Sequence, residues 1–361
     1  MGTKLDILGK KYTFDTGYIY FTSTNTLETL WGAGNYDILD SQRITAYWNN
    51  HYHTLTFNSD CTYFISKRIK PADSQYIQGT IYYDLTRNIS TPWICAELAG
   101  GIGNRMYQLA AALGLGERTG RPVVFCHRMN TGWTHQNTAH MYYLFPHIPI
   151  LHDSVPNVSF DHQLKDRKPY DYYEISALSE NCMLAGNWQN MTYFPSYPID
   201  PSFDMFLTAD LRTHLLQKYK VENIAQKLST WFVHVRLGDY KKYNELNHIT
   251  VESYHRQLIK DIPEGANILL FSNELEVAAN LLHEGRAIVC CDEQNECISL
   301  FLMQQCWGGA IVPNSTFSWW GSYFSYMATP FKHLYKAYYP KVWFRDDEES
   351  GKAYTPPWAM R

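Results

Sequence analysis

The stretch WFVHVRLGDY, residues 231–240, decides how the rest of the chain is read. An apolar run ends in His234, Arg236 and Asp239, and Gly238 breaks the backbone among them. This pattern predicts a buried strand that delivers polar side chains at its carboxyl end, where ligands collect in open α/β sheets. Taken alone, it fits a plain strand end equally well, with Arg236 and Asp239 as a surface ion pair of little energetic worth. Distant stretches have to decide.

Downstream, the strand-like runs FVHV, NILLFS (267–272), AIVCC (287–291) and GAIV (309–312) alternate with helical stretches VESYHRQLIK, ELEVAANLLH and ECISLFLMQQC. Alternation at these lengths predicts βαβ units and a doubly wound parallel sheet. Each run ends in small or polar residues: Arg236 to Asp239, Ser272-Asn273-Glu274, Asp292-Glu293, and Pro313-Asn314-Ser315-Thr316. Those ends are expected to share one edge. NSTFSWWGSYF (314–324) then opens an aromatic helix. Ser315 and Thr316 suit its amino-terminal cap. The same helix end would present hydroxyls and N–H groups to an anion.

Upstream, WICAELA (93–99) reads as a strand and GGIGN (100–104) as a glycine turn. A helix with Met106, Leu109, Ala110 and Leu113 on one face follows. PVVFC (122–126) is the next strand. The helix end again favours an anion at the turn. A dinucleotide fingerprint is a poor match, because Met106 occupies its third glycine position and His127-Arg128 stand where an acid belongs. No Gly-Lys-Ser/Thr follows, so the turn is not a Walker loop.

Residues 127–225 are rich in Pro, His, Asn and Tyr, which suggests long substrate-holding loops. His135 and His140 lack metal-ligand spacing and read as loop polar groups. In LAGNWQN (184–190), Trp188 and Gln189 could contact a sugar; a packed aromatic is the plainer reading. Residues 1–90 differ from the rest. YTFDTGYIYFTST, RITAYWNNHYHTLTFNS and TYFISKRI alternate partially, and Gly32-Ala33-Gly34-Asn35 and Asn58-Ser59-Asp60 look like turns. A small antiparallel β module is expected, more as an appended structural unit than as a sugar- or partner-binding one.

Composition sets outer bounds. With 361 residues and 45 % hydrophobic content, two or three domains with real cores are expected. The 28 Tyr and 11 Trp suit either sugar rings or pleated sheet surfaces. A net charge of −4 with no basic stripe argues against nucleic acid as a partner. No run is long and apolar enough to span a bilayer. Residues 1–30 lack a signal-peptide core, and Asp6 stands where a myristoylation signal wants Ser or Thr. The expected location is therefore cytoplasmic. The eight cysteines contain no C-x-x-C pair and read as buried hydrophobes in a reducing compartment, in preference to a zinc site at Cys290, Cys291, Cys297 and Cys306. Four sequons, at Asn88, Asn157, Asn190 and Asn314, carry little meaning without a secretion signal.

Taken in order, GGIGNRMYQLA, HVRLGDY and NSTFSWWG resemble the α1,2-fucosyltransferase family of inverting glycosyltransferases. The resemblance covers residues 91–335 and leaves out the β module. Arg105 stands where that family usually has Gln, and Leu237 replaces the second Arg of its Arg-Arg pair. The resemblance implies an α/β fold of the GT-B type, with two facing Rossmann-like domains preceded by the small β-rich domain (1–90). Residues 91–225 would be the acceptor-side domain, 226–335 the nucleotide-sugar domain, and 336–361 a tail outside the core pattern.

The implied reaction moves L-fucose with inversion from GDP-fucose to a glycan hydroxyl, the 2-OH of a galactose-like sugar. The partners would be a nucleotide-sugar donor and a glycan acceptor. Charge grows on the departing diphosphate, and fixed donors must meet it. No Asp-x-Asp triplet occurs, so neither metal nor other cofactor is expected. Arg236 would supply the charge through its planar fork. His234, Gly101, Gly103, Asn104, Ser272, Asn314, Ser315, Thr316 and Phe317 would complete the donor site, with His234 more a strand-end scaffold group bonding backbone than a donor contact, and Asn104 either holding the turn or reaching the diphosphate or acceptor. Gln108 and Trp188 would face the acceptor. Asp239 either fixes Arg236, the preferred reading, or takes the acceptor proton, with Glu245 as the alternative base. An oxocarbenium-like transition state needs little from either. Two rivals stand: the same fold with another nucleotide sugar, and a glycan-binding protein whose transferase half has decayed.

Overall fold

A computed structural model of the chain describes residues 5–14, 17–29, 31–58, 61, 63–70, 72–80, 92–126, 139–145, 147–148, 150–151, 162–163, 168–172, 174–175, 181–204, 206–238, 251–282, 285–293 and 295–360. The amino-terminal module is β1 (Lys11–Phe14), β2 (Gly17–Phe21), β3 (Thr26–Thr29), β4 (Gly32–Ile38), β5 (Arg43–Trp48), β6 (His51–Phe57), β7 (Tyr63–Lys70) and β8 (Ala72–Thr80). Each strand pairs antiparallel with the next, in chain order, and β1 comes round beside β8. Period-two alternation turns Ile44, Ala46, Trp48, Leu55 and Phe57 inward. At the centre, Tyr12 meets Phe21, Phe57 and Phe64 edge-on at 5.7, 5.7 and 5.3 Å. Its hydroxyl donates to the Cys61 carbonyl at 2.7 Å, so the buried polar tip is satisfied.

One expected turn is not a turn. Gly32 to Asn35 lie inside β4, and a Cβ on Gly34 would sit 2.3 Å from the Tyr47 carbonyl oxygen. Glycine is needed there for strand approach. The tight hairpin is Asn49-Asn50 between β5 and β6, both with positive φ (48° and 61°), as a two-residue turn that follows sheet twist requires.

Two parallel sheets follow. The first contains β9 (Ile94–Ala96), β10 (Val123–Cys126), β11 (Ile150–Leu151), β12 (His162–Gln163) and β13 (Cys182–Ala185), in the order β11-β10-β9-β13-β12. The second contains β14 (Thr230–Val235), β15 (Asn267–Ser272), β16 (Val289–Cys290), β17 (Gly309–Ile311) and β18 (Lys336–Tyr338), in the order β16-β15-β14-β17-β18. The helices that matter below are α1 (Ile102–Thr119), α2 (Ala139–Leu144), α3 (Ala209–Lys218), α4 (Leu275–Leu282), α5 (Glu296–Gln304), α6 (Thr316–Ala328) and α7 (Glu348–Tyr354). In each parallel sheet the first strand is central, and the chain winds away on one side and then the other. The switch points are β9/β13 and β14/β17, where ligands are expected at the carboxyl ends. The βαβ alternation read from the sequence is therefore the observed one.

The two α/β halves share one apolar core. Its centre is the contact between α1 and α6. Tyr107 lies 4.9 Å from Trp319 and 5.3 Å from Trp320, and Phe194 stacks on Trp320 at 5.3 Å. Both tryptophans are fully buried. Each such ring takes roughly 200 Å² out of water. That is on the order of 5 kcal/mol before entropy is subtracted.

Residues 336–361 are not a tail outside the core pattern. β18 is the edge strand of the second sheet, and Trp343 stacks on Tyr354 at 4.1 Å. The Tyr354 carbonyl accepts from Trp319 Nε1 at 2.8 Å. The segment is polar enough to read as surface, yet its aromatics close the core between the domains.

Candidate active site

The glycine turn begins at Gly100, whose φ of +81° suits a residue without Cβ. Gly101 is the cap of α1 and offers no side chain to it. Gln108, one turn into the helix, reaches back. Its Oε1 accepts from the Ala99 N–H at 2.8 Å and its Nε2 donates to the Ala99 carbonyl at 3.2 Å. It is fully buried. The expectation that Gln108 meets an acceptor is thus corrected: it clamps the strand end before the turn. Trp188 is corrected likewise. It is buried, donates to the Ala185 carbonyl at 3.1 Å and packs edge-on to Tyr193 at 5.2 Å.

At the second switch point, β14 is buried along its length and releases the chain at Arg236, which is half-buried. His234 stays inside. Its Nδ1 pairs with Ser318 Oγ at 2.8 Å, and its carbonyl is paired with His255 Nε2 at 2.9 Å. Burial, then the charge of Arg236, then His255 hold its pKa down at about 3. His234 is therefore a neutral scaffold group joining β14 to α6, not a donor contact. Leu237 is clamped through its backbone: its N–H donates to Asn273 Oδ1 at 2.9 Å, and its carbonyl accepts from Asn273 Nδ2 at 3.0 Å. Gly238 has φ +67°, and a Cβ there would meet Asn273 and Glu274 at 2.8 Å. Ser272 Oγ accepts from the Glu274 N–H at 3.1 Å and caps its own turn. Asp239 and Glu245 lie outside the described residues.

The His234 environment has a measurable consequence. In the unfolded chain the imidazole takes up a proton near pH 6.5. In the fold it does so only near pH 3. Its contribution to stability is complete above pH 6.5 and is lost as pH falls toward 3. His147, whose pKa is also lowered, chiefly by desolvation, adds in the same direction. The melting temperature is expected to fall between pH 6.5 and 5, and His234→Gln should flatten that fall. A melting temperature independent of pH in this window would contradict the assignment.

β17 delivers the third part. Asn314 is buried, with Nδ2 donating to the Trp343 carbonyl at 3.3 Å. Ser315 is buried at the cap position of α6 but makes no side-chain cap bond. Asn314 is therefore a scaffold group, and the Ser315 hydroxyl is not the expected cap. Thr316 points across to the other domain and donates to Asn104 Oδ1 at 2.7 Å. Gln189 Nε2 donates to the same oxygen at 2.9 Å, and the Tyr354 hydroxyl donates to Gln189 Oε1. A Cβ on Gly103 would stand 2.5 Å from the Phe317 nitrogen and 2.5 Å from the Thr316 carbonyl carbon. The Phe317 ring lies edge-on to His234 at 5.8 Å.

The amino ends of α1 and α6 touch. Neither helix has a side-chain cap bond, so backbone N–H groups are left for an incoming acceptor. Arg236 follows His234 by two residues, and the His234 ring meets Phe317 in the first turn of α6. Asp292, at the end of the 287–291 run, is paired with Lys218 Nζ at 2.8 Å and the Tyr219 hydroxyl at 3.0 Å. Among the described residues no cluster of His, Cys, Asp or Glu could hold a metal ion, and no helix is long and apolar enough to cross a membrane. The part Tyr354 plays was missed from sequence, since its partners are 35 and 165 residues away.

The model of the family described as glycosyl transferase family 11 matches residues 119–359. No curated protein matches the chain in sequence. Among solved structures, the chain is similar to the fucosyltransferase NodZ from Bradyrhizobium. The likeness has 14 % identity and a TM-score of 0.38, covering 64 % of this chain and 92 % of that one. A selenomethionine form of the same protein matches with 13 % identity, a TM-score of 0.36 and the same coverage.

Proposed function

This chain belongs to glycosyl transferase family 11, and from that premise we propose that it transfers L-fucose from GDP-fucose, with inversion and without a metal ion, to the 2-OH of a galactose-like sugar in a glycan. Family membership makes it a glycosyltransferase, with a nucleotide-sugar donor and a glycan acceptor. The donor, the stereochemistry and the acceptor position are the proposal.

One observation carries it: the uncapped amino ends of α1 and α6 meet across the domains, with Arg236 at the adjacent strand end. When the bond between fucose and the diphosphate breaks, negative charge gathers on the departing oxygen. Helix-end N–H groups near Gly101 to Gly103 and Thr316 to Phe317 would take up part of it. The Arg236 guanidinium would take up the rest through paired N–H bonds. Charge provided this way needs no reorganisation as the bond breaks. The sequence has no Asp-x-Asp triplet, in keeping with catalysis by protein charge alone.

The test is calorimetric titration of GDP followed by turnover. Micromolar GDP binding, unchanged by EDTA, is expected, together with release of GDP from GDP-fucose when a galactoside is present. Binding that vanishes with the chelator and returns with manganese would refute the metal-free reading. Product linkage analysis fixes the acceptor hydroxyl.

Leu237 favours a second reading. It occupies the position of an expected second Arg, and its side chain packs on the apolar cluster around Val233 and Val235. An aliphatic side chain offers a phosphate no hydrogen bond, which favours a different nucleotide sugar. A thermal-shift panel of GDP-fucose, GDP-mannose and UDP-sugars separates the two: the largest stabilisation identifies the donor.

A further inference from the structure

The carboxamide of Asn104 sits where α1 and α6 meet, and three side chains hold it in place. Thr316 Oγ1 and Gln189 Nε2 both lie within hydrogen-bond distance of one atom, assigned as Oδ1, at 2.7 and 2.9 Å. The Thr316 and Tyr354 hydroxyls can each donate or accept, so the relay is self-consistent in this polarity or with both carboxamides reversed together; phosphate oxygens at the turn, which only accept, would select the polarity with the NH2 outward. Gln189 is in turn oriented by the Tyr354 hydroxyl, which donates to its Oε1. Gln189 is buried, and Tyr354 is fully buried against Trp343 and Tyr107. Neither has room to adjust. The remaining end of the carboxamide, Nδ2, faces the turn: a Cβ on Gly100 would be 2.9 Å from it. No partner among the described residues takes its N–H bonds.

We propose that Gln189 and Tyr354 are positioning residues for the donor site: they hold Asn104 with its oxygen turned inward and its NH2 directed at phosphate oxygens lodged in the glycine turn. The chain of bonds runs from the carboxyl-terminal helix α7 through the loop after β13 to the junction of α1 and α6. The closing segment of the polypeptide thereby helps to hold a group in the site. This rests on the nucleotide-diphosphate reading above.

Three variants test it, with GDP affinity and melting temperature measured on the full chain. Asn104→Asp keeps an acceptor for Thr316 and Gln189, so the fold should hold. It removes the NH2 and adds like charge, and GDP affinity should fall by about a hundredfold. Gln189→Glu is isosteric but, when ionised, cannot donate to Asn104. Its GDP affinity relative to the parent should drop by about tenfold at pH 8 and recover as pH falls and the carboxyl regains a proton. The titratable groups around position 189 are Tyr354, Tyr107 and Tyr170, with the Lys168–Asp347 pair beyond. The Tyr107 and Tyr170 hydroxyls have raised pKa values, chiefly from burial, and do not titrate in this range. A purely structural role for Gln189 would not produce a pH-dependent ratio. Tyr354→Phe, the mildest change, should weaken GDP severalfold with little change in melting temperature, and it keeps the test open if Gln189→Glu does not fold.

Affinities within twofold of the parent for Asn104→Asp and Tyr354→Phe would overturn the positioning role while leaving the donor assignment intact. A parent protein with no affinity for GDP would overturn the donor assignment, and the positioning role with it.

Discussion

Replacing Arg236 by alanine is expected to lower kcat/KM for GDP-fucose by on the order of a hundredfold or more, about 3 kcal/mol of transition-state stabilisation. The residue stands just past the carboxyl end of the central strand, two residues after His234, whose ring meets Phe317 at the start of α6. Its charge is close enough to His234 to help hold that imidazole neutral. No second guanidinium follows it, because Leu237 is packed inward. Arg236→Lys keeps the charge but loses the planar fork, so it should restore only part of the activity. Ser315→Ala should cost far less, since that buried hydroxyl caps nothing. Steady-state kinetics on the three variants, with GDP affinity measured separately, checks this. Equal losses for Arg236→Ala and Ser315→Ala would remove Arg236 from the chemistry.

The second large effect is expected at Gly103. Elsewhere in a helix, Gly→Ala stabilises by about 1 kcal/mol. Here the added Cβ would lie 2.5 Å from backbone atoms of Thr316 and Phe317, which cannot rotate away. The two helix ends must separate, and overpacking of this kind costs about 1–3 kcal/mol. Separation also breaks the Asn104–Thr316 bond and opens the anion site. Gly103→Ala should therefore melt several degrees lower and bind GDP weakly or not at all. Gly101→Ala is the control. A Cβ there meets nothing within 4 Å, and its φ of −71° suits any residue. Loss of one helix-cap glycine should cost less than about 1 kcal/mol. Matching melting temperatures for the two variants would contradict the close approach.

These two glycines show how far sequence reasoning reaches. The family resemblance puts both in the donor site. A Cβ at Gly101 would meet nothing within 4 Å, whereas at Gly103 a helix from the opposite domain lies against it. A sequence records only that no Cβ is wanted, not what would have met it.

What the sequence by itself determined is local or periodic: the alternation of strand and helix, the polar groups at strand ends, the helix starts after Gly101 and Ser315, and the family that their order resembles. Such features depend on neighbours a few residues apart, where chain geometry leaves few choices. Tertiary structure alone decided that Gln108, Trp188, His234 and Asn314 face inward, that the last residues close the interdomain core, and that Thr316, Gln189 and Tyr354 converge on Asn104. Those outcomes depend on contacts between residues up to 212 positions apart. A polar side chain in a loop or on a helix carries no mark of whether its partner will be solvent, substrate or another strand's backbone. Only the packing of one domain against the other supplies that partner.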